Sequence, residues 1–362
     1  MASLHPLITA KELDWLAQYI HNASPSGNER AGQQLWLDYI LPFADEHFTD
    51  SYGNAVAIIN PGKDFKVVVE AHADEIAWAV KRIGPDGYIH VQEAGIADAG
   101  IAPSQRVNIH TAKGTVRGIF GWPAIHTRDE GDEKAPKNSN IFIHCGCKSS
   151  EEVRALGIRV GDFITYDAGF EVLNNDYFTG RALDNRIGGF MLARLARLLK
   201  EESIELPYTL YLVNAVQEEV GMKGAKMIAH TIQPDCAIVI DVTHDTASPM
   251  MDKDKEGDLC IGNGPVITKA APIHTKLRSL LEATADEQKI GLQYAVEADE
   301  TGTDADAFAY ENGGIPTALL SLALCFMHTT VETIHRDDVE AGIRLLFHAL
   351  HKLSADFDFK YL

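Results

Sequence analysis

Five short segments of the chain carry side chains that could bind a divalent cation or move a proton. Taken singly, each has a plainer interpretation, such as a solvated strand end, a helix N-cap, a surface turn or a core histidine. With His244 set aside as a loop histidine, they together supply two imidazoles and several carboxylates without a thiolate, a donor set that suits Zn, Co or Mn. The segments are 72–75 (HADE), 182–186 (ALDNR), 217–221 (QEEVG), 241–244 (DVTH) and 327–330 (MHTT).

The candidate metal ligands are His72, Asp184, Glu219, Asp241 and His328. A hydrolytic centre forms when two cations lie about 3.5–4 Å apart and one aspartate bridges them. The cations lower the pKa of bound water to about 7 and polarise the carbonyl that the water attacks.

Two further carboxylates could assist this chemistry. Glu218 is left free to act as a general base, a role that typically contributes ~10²–10⁴-fold in rate. Asp74 follows His72 by two residues on an extended chain, so both side chains can point the same way. Asp74 could then accept a proton from one imidazole nitrogen and leave the other for a metal. The residues predict a hydrolase that uses a metal-activated water.

Along the chain, apolar runs typical of strands alternate with segments that have the apolar spacing of helices, and these elements must position the candidate side chains. Because ligands of open α/β sheets bind beyond strand ends, segments that follow apolar runs can meet at one edge. Ser26, with Glu29 three residues later, has the pattern of a capping box before a helix. We expect an α/β fold with a mixed central sheet flanked by helices. The predicted strands are 54–60, 66–71, 209–215, 237–241 and 315–320, and the predicted helices are 10–21, 29–42, 185–201, 222–230, 274–289, 304–311 and 336–354.

Residues 76–166 have a different texture, with short strand-like runs separated by turn signals such as Gly84-Pro-Asp-Gly87. A polar stretch at 127–140 predicts a long loop. We expect an inserted, small β-rich and barrel-like domain at 76–166, which divides a discontinuous catalytic domain into 1–75 and 167–362.

Composition limits the remaining functions. Among 362 residues, 32 Lys and Arg stand against 52 Asp and Glu, and the net charge of −20 opposes binding to nucleic acid or anionic lipid. No run approaches the roughly 20 apolar residues of a membrane span, and the first 30 residues lack the pattern of a secretory signal. Five cysteines, an odd number, favour reduced thiols and a cytoplasmic location. Cys145-Gly-Cys147 could be a metal clip, but a structural role is favoured.

The order and spacing of these motifs resemble the tetrahedral (TET-type) aminopeptidases, the glutamyl and deblocking aminopeptidase group of dinuclear metallopeptidases. The resemblance runs along most of the chain. It rests on 25–27 (PSG), 72–75 (HADE), 160–162 (VGD), 182–186 (ALDNR), 217–221 (QEEVG), 241–243 (DVT), 302–305 (GTDA) and 327–329 (MHT).

The resemblance implies two divalent metal ions per subunit, zinc first, with cobalt or manganese as alternatives. It assigns His72 and Asp241 to one metal and Glu219 and His328 to the other. It also makes Asp184 the bridge, Glu218 the general base and Asp74 the residue that orients His72.

At the level of the whole chain, the resemblance implies a zinc-aminopeptidase-like catalytic domain with 76–166 as a dimerisation domain. Dimers would assemble into a hollow tetrahedral dodecamer. The substrates would be oligopeptides, trimmed from the free N-terminus.

Alternatives remain open at this point. One is a related amide hydrolase, such as a carboxypeptidase or deacylase, and another is a relative labelled endoglucanase, although glycosidases usually need no metal. A third is an inactive peptide-binding scaffold. The sequence leaves the preferred N-terminal residue, the physiological metal and the step from dimer to dodecamer undetermined.

Overall fold

The structure is a computed structural model, and it describes residues 6–128 and 134–362. Residues 129–133 of the expected polar loop therefore lie outside the described residues. Within the described ranges, helices α1 to α9 are Ala10–His21, Arg30–Ile40, Ser150–Ala155, Leu183–Glu201, Lys223–Ile232, Lys253–Glu256, Thr275–Gln288, Asp304–Tyr310 and Arg336–Leu350. Short 3₁₀ turns lie at Leu41–Phe43, Ile125–Thr127 and Glu311–Gly313.

The strands form a large sheet, a small sheet and a closed barrel. Strands β1 to β17 are Glu46–Thr49, Ala55–Ile59, Lys66–His72, Ala77–Ile83, Ile89–Ala94, Arg106–Thr111, Gly114–Gly121, Phe142–His144, Phe163–Tyr166, Glu171–Leu173, Tyr177–Gly180, Thr209–Ala215, Cys236–His244, Val266–Lys269, Gln293–Val296, Thr317–Leu324 and Glu332–His335.

Eight strands form the central sheet, in the order β1-β2-β12-β3-β13-β16-β14-β15. The neighbours β12, β3, β13 and β16 run parallel, whereas β1, β2 and the β14–β16 pair add antiparallel contacts. The parallel strands are apolar almost throughout because a strand covered on both faces buries every side chain.

Alternate residues of β3 show how the sheet is covered. Val67 and Val69 pack into the larger core with helices α1, α2, α4, α7 and α9. Val68 points to the opposite face and packs with α5 and α8. The predicted mixed sheet flanked by helices is confirmed.

Strands β4 to β9 close into an antiparallel barrel in the order β4-β5-β8-β7-β6-β9. Its interior is a separate core that includes Trp78, Ile109, Phe120 and Ile143. The predicted barrel-like element is confirmed, and its strands lie between Ala77 and Tyr166.

The capping-box interpretation of Ser26 is wrong. Helix α2 begins after Glu29, whose side chain accepts from the backbone of Gly27 (2.6 Å), while the Ser26 hydroxyl donates to Asp74. A carboxylate bond of the capping-box type occurs instead at α1, where Glu12 accepts from the backbone of Thr9 (3.2 Å).

The small sheet β10-β11-β17 was not predicted, and it places β17 beside β11 just before α4.

Among the described residues, no helix combines the length and apolar content that a bilayer crossing requires.

Candidate active site

The four parallel strands deliver the candidate ligands to one edge of the central sheet. His72 is the last residue of β3, Asp241 lies near the end of β13, and Glu218 follows β12 by three positions. His328 comes shortly after β16, in the loop that leads to β17. Because parallel strands end at the same edge, residues far apart in sequence meet there.

His72 is almost fully buried, and its Nε2 atom faces two carboxylates. Nε2 lies 3.1 Å from Asp184 Oδ1 and 3.8 Å from Asp241 Oδ1. Burial acts to lower the pKa of His72, but the neighbouring carboxylates of Asp184 and Asp74 outweigh it and raise that pKa well above its usual value.

The candidate ligands His72, Asp184, Glu219, Asp241 and His328, together with Glu218, form one cluster of side chains. His328 faces this cluster from another side. Its Nε2 atom lies 3.3 Å from Asp184 Oδ2 and 3.4 Å from Glu219 Oε2. Its Nδ1–H donates to the carbonyl of Ile96 (3.0 Å), which leaves Nε2 as the nitrogen that faces the carboxylates.

Asp184 lies between the two imidazoles and gives one carboxylate oxygen to each. Burial acts to raise the pKa of Asp184, but hydrogen bonds from His328 and His72 outweigh it and lower the pKa. Asp184 does not cap α4, because the N-cap position is Ala182. A carboxylate with one oxygen toward each histidine has the arrangement that a bridge between two cations requires.

Asp74 is completely buried and anchors the 217–221 segment. Its Oδ1 accepts from the backbone of Glu218 (2.9 Å), and its Oδ2 accepts from the backbone of Glu219 (3.2 Å) and the hydroxyl of Ser26 (2.6 Å). The nearest approach of Asp74 to His72 is 3.5 Å, from Oδ1 to Nδ1. Asp74 therefore fixes the loop by short hydrogen bonds and His72 by a longer electrostatic contact.

Three carboxyl groups of the cluster have raised pKa values. Burial, followed by the charges of Asp304 and Asp241, raises the pKa of Glu218 to about 9. Burial and Asp184 raise the pKa of Glu219 well above its usual value and that of Asp241 to about 7. Buried carboxylates that repel one another are costly, and a bound cation relieves that repulsion.

Two observations show that the residues fit a metal centre: the kind and closeness of their donor atoms, and one buried carboxylate oxygen that lacks a hydrogen-bond partner among the described residues. Ligand atoms of His72, Asp184 and Glu219 all lie within 4.8 Å of one another. Glu219 Oε1 is buried and has no hydrogen-bond partner among the described residues. Imidazole and carboxylate donors of this kind suit divalent transition metals.

Glu332, at the start of β17, is a buried residue beside this cluster that the sequence interpretation did not include. Its carboxylate accepts from the backbone of His328 (2.8 Å) and of Asp184 (3.2 Å). The only signal was a glutamate four residues after His328, which by itself indicates nothing.

Glu70 was also missed, although its signal was present in the sequence. It is a charged residue inside the apolar run VVVEA, it is fully buried in β3, and neither of its oxygens has a close hydrogen-bond partner among the described residues. Burial raises the pKa of Glu70 to about 8, although the side chain of Asp304 and the charge of His72 both act to lower it.

Comparisons with known proteins show which proteins this chain is similar to. The profile of the M42 glutamyl aminopeptidases matches residues 53–345. Lysyl aminopeptidase from Pyrococcus furiosus is 32% identical over 350 residues, which cover 94% of this chain and 98% of that protein.

Two solved structures have the same architecture. The TET aminopeptidase of the marine sediment archaeon Thaumarchaeota archaeon SCGC AB-539-E09 has a TM-score of 0.91 and 29% identity, over 96% of this chain and 98% of that one. The TET1 peptidase of Pyrococcus horikoshii, which can assemble into a tetrahedron or a large octahedral shell, has a TM-score of 0.84 and 29% identity, over 94% of this chain and all (100%) of that one.

The resemblance to TET-type aminopeptidases is thus confirmed, and the alternatives of another amide hydrolase, an endoglucanase or an inactive scaffold are not favoured. The chain belongs to the M42 glutamyl aminopeptidase family and is a metal-dependent aminopeptidase.

Proposed function

We propose that the chain removes N-terminal residues from oligopeptides at a pair of divalent cations. His72 and Asp241 would hold one cation and Glu219 and His328 the other, with Asp184 shared between them. The observation that supports this division most directly is the Asp184 carboxylate, whose two oxygens face different histidines at 3.1 and 3.3 Å.

Two cations in this position supply Lewis-acid chemistry, which polarises a peptide carbonyl and makes water acidic enough to lose a proton near neutral pH. Glu218 then accepts the proton of the attacking water and delivers it to the nitrogen of the leaving amine, so that it ends the cycle unchanged. Asp74 holds Glu218 by its backbone and limits the orientation of His72.

We assign zinc as the first choice of metal, with cobalt and manganese as alternatives, because the donor set is two imidazoles and three carboxylates. No thiolate belongs to the proposed set. The sulfurs of Cys145 and Cys147 lie 3.7 Å apart in the barrel, and neither belongs to the proposed ligand set.

We further propose that 1–75 and 167–362 form the catalytic domain and that 76–166 is an inserted dimerisation domain. Two features support this division: the barrel closes on itself with its own core, and it exposes large apolar side chains, including Ile119 (49% exposed) and Val160 (61%). Assembly of dimers into a tetrahedral dodecamer is supported by the behaviour of the P. horikoshii relative.

The proposed location is the cytoplasm. All five cysteines have free thiols, which a reducing compartment preserves. Oligopeptides are the proposed partners, whereas nucleic acid and membranes are not, because the net charge of −20 repels polyanions.

A paired-substrate assay tests the proposed function. Free aminoacyl p-nitroanilides, including lysyl and glutamyl forms, would be compared with the same compounds after N-acetylation. We expect hydrolysis of free amines only, complete loss of activity in chelator, and recovery on adding zinc or cobalt. Preferential cleavage of acetylated substrates, or full activity in chelator, would overturn the proposal.

A further inference from the structure

Glu332 connects two candidate ligands that reach the site from different parts of the chain. One carboxylate oxygen accepts from the backbone N–H of His328 (2.8 Å), four residues away, and the other accepts from that of Asp184 (3.2 Å), 148 residues away. The side chains of His328 and Asp184 in turn approach to 3.3 Å. The carboxylate of Glu332 therefore spans the backbones of two residues whose side chains must act together.

Regular secondary structure does not hold His328 in place. His328 and Phe326 both have left-handed backbone angles, with φ of 61° and 59°, a conformation that non-glycine residues rarely adopt. The ends of this loop are tied by paired backbone bonds between Cys325 and Thr333 (2.9 and 3.1 Å). Within the loop, the bond to Glu332 fixes the backbone of His328 directly.

The backbone around Asp184 is also irregular. Asp184 has φ and ψ of −76° and 108°, which interrupt the helical geometry at the start of α4, and the preceding Ala182 has a φ of 57°. The N–H of Asp184 is bonded to a side chain rather than to a helical carbonyl. Glu332 thus stabilises an irregular backbone at both of its partners.

We propose that Glu332 is a positioning residue that sets the separation of Asp184 and His328. Through this separation it sets the affinity of the site for the cation assigned to Glu219 and His328. This inference rests on the proposed division of ligands between two cations. Groups that orient metal ligands typically change metal affinity or activity by about 10–100-fold when they are altered. Glu332 holds two ligands of the cation assigned to Glu219 and His328, namely His328 and Asp184. It holds only the shared Asp184 of the cation assigned to His72 and Asp241, so that cation should depend less on Glu332.

A carboxylate suits this role better than an amide does. Glu332 uses both oxygens as acceptors for two converging N–H groups. Glutamine has the same shape but a single acceptor, so its amide nitrogen would face one of the donors. Glu332→Gln should therefore release one of the two backbones while the side-chain volume stays constant.

A matched control exists in α9. Asp338 is buried, and its two oxygens accept from the backbone N–H groups of Gly262 (2.6 Å) and Gly264 (2.8 Å). Asp338→Asn removes the same kind of bond from a loop that contributes no candidate ligand. Any general cost of losing a buried bidentate acceptor will appear in this variant as well.

The test is calorimetric titration of zinc into cation-free full-length protein, with thermal unfolding in chelator as a second readout. We expect two zinc ions to bind to wild type and to Asp338→Asn with the same affinities. Glu332→Gln should weaken one site by about 10–100-fold and the other by clearly less. Two sites at wild-type affinity in Glu332→Gln, or equal weakening of both, would overturn the inference. Fewer than two ions on the wild type would instead contradict the proposed function.

If Glu332→Gln does not fold, hydrogen exchange on the wild-type protein answers the same question. The amide protons of His328 and Asp184 should already be protected in the cation-free protein, because Glu332 binds them before any metal arrives. Rapid exchange at both amides without zinc would overturn the positioning role.

Discussion

The Oδ1 atom of Asp184 lies 3.1 Å from Nε2 of His72, although the two residues are 112 positions apart in the chain. One residue ends a central strand and the other lies where α4 begins, so their contact depends on the packing of α4 against the sheet. The buried contact also brings a carboxylate and an imidazole together at the edge where the other candidate ligands converge. The fold therefore supplies a preassembled site, and cation binding should stabilise the fold in return.

Removal of cations should lower the stability of the protein. A ligand that binds only the folded chain stabilises it by RT ln(1 + [L]/Kd), or about 2.7 kcal/mol per site at a free concentration of 100 Kd. Burial and neighbouring charges raise the pKa values of Glu218, Glu219 and Asp241, so their ionised forms are disfavoured until a cation is bound beside them. Urea unfolding in chelator and in buffered zinc measures the difference. Equal stability in both conditions would mean that zinc does not bind the folded site.

Glu218→Gln should abolish most of the peptidase activity while both cations remain bound. The amide keeps the volume of the side chain but cannot accept a proton, so kcat should fall by roughly 10²–10⁴-fold. Steady-state kinetics together with the metal content of the purified variant test this expectation. Glu151→Gln, an exposed change on helix α3, serves as the control and should leave kcat unchanged. Near-normal turnover of Glu218→Gln would refute the role of general base.

Ser26→Ala should destabilise the protein and reduce its activity, because Ser26 donates a buried 2.6 Å hydrogen bond to the Asp74 carboxylate. A hydrogen bond to a charged group contributes about 1.5–3 kcal/mol to the free energy of unfolding. Ser24 provides a matched control, since it is equally buried but its hydroxyl has no hydrogen-bond partner among the described residues. Urea unfolding should show a clear loss for Ser26→Ala and little change for Ser24→Ala. Equal losses would assign the effect to packing.

Glu70→Gln should change how stability depends on pH. Burial raises the pKa of Glu70 from 4.5 to about 8, so the folded chain keeps a proton that the unfolded chain releases between those values. The free energy of unfolding should then fall as pH rises across this window, by up to about 1.4 kcal/mol per pH unit from this group. Glu70→Gln lacks this slope, so its stability relative to wild type should increase from pH 5 to pH 8.

Chemical unfolding of the cation-free protein at several pH values measures that difference. Glu297→Gln, a change at an exposed carboxylate, should leave the slope of the wild type intact. A stability difference for Glu70→Gln that does not vary with pH would mean that Glu70 is ionised in the folded protein.

Local sequence patterns were sufficient to predict the central strands and the position of the candidate ligands. The apolar run before His72 and the one before Asp241 each indicated a buried strand, and strands of that kind end in polar residues at a shared edge. The closed barrel was likewise indicated by short runs and turn signals within 76–166.

Contacts between distant parts of the chain could not be predicted in the same way. Ser26 has the local pattern of a helix cap, but its hydroxyl bonds to Asp74, 48 residues away. Glu332 lies in a short strand of a small sheet, and its partner Asp184 is 148 residues away. Such pairings depend on the packing of whole elements, which residue spacing does not encode.

The most direct test of the central claim is anomalous diffraction from crystals of the zinc-loaded protein. We expect two peaks about 3.5–4 Å apart, one beside His72 and Asp241 and the other beside Glu219 and His328, with Asp184 between them. A single peak at full zinc occupancy, or two peaks that do not share Asp184, would contradict the account.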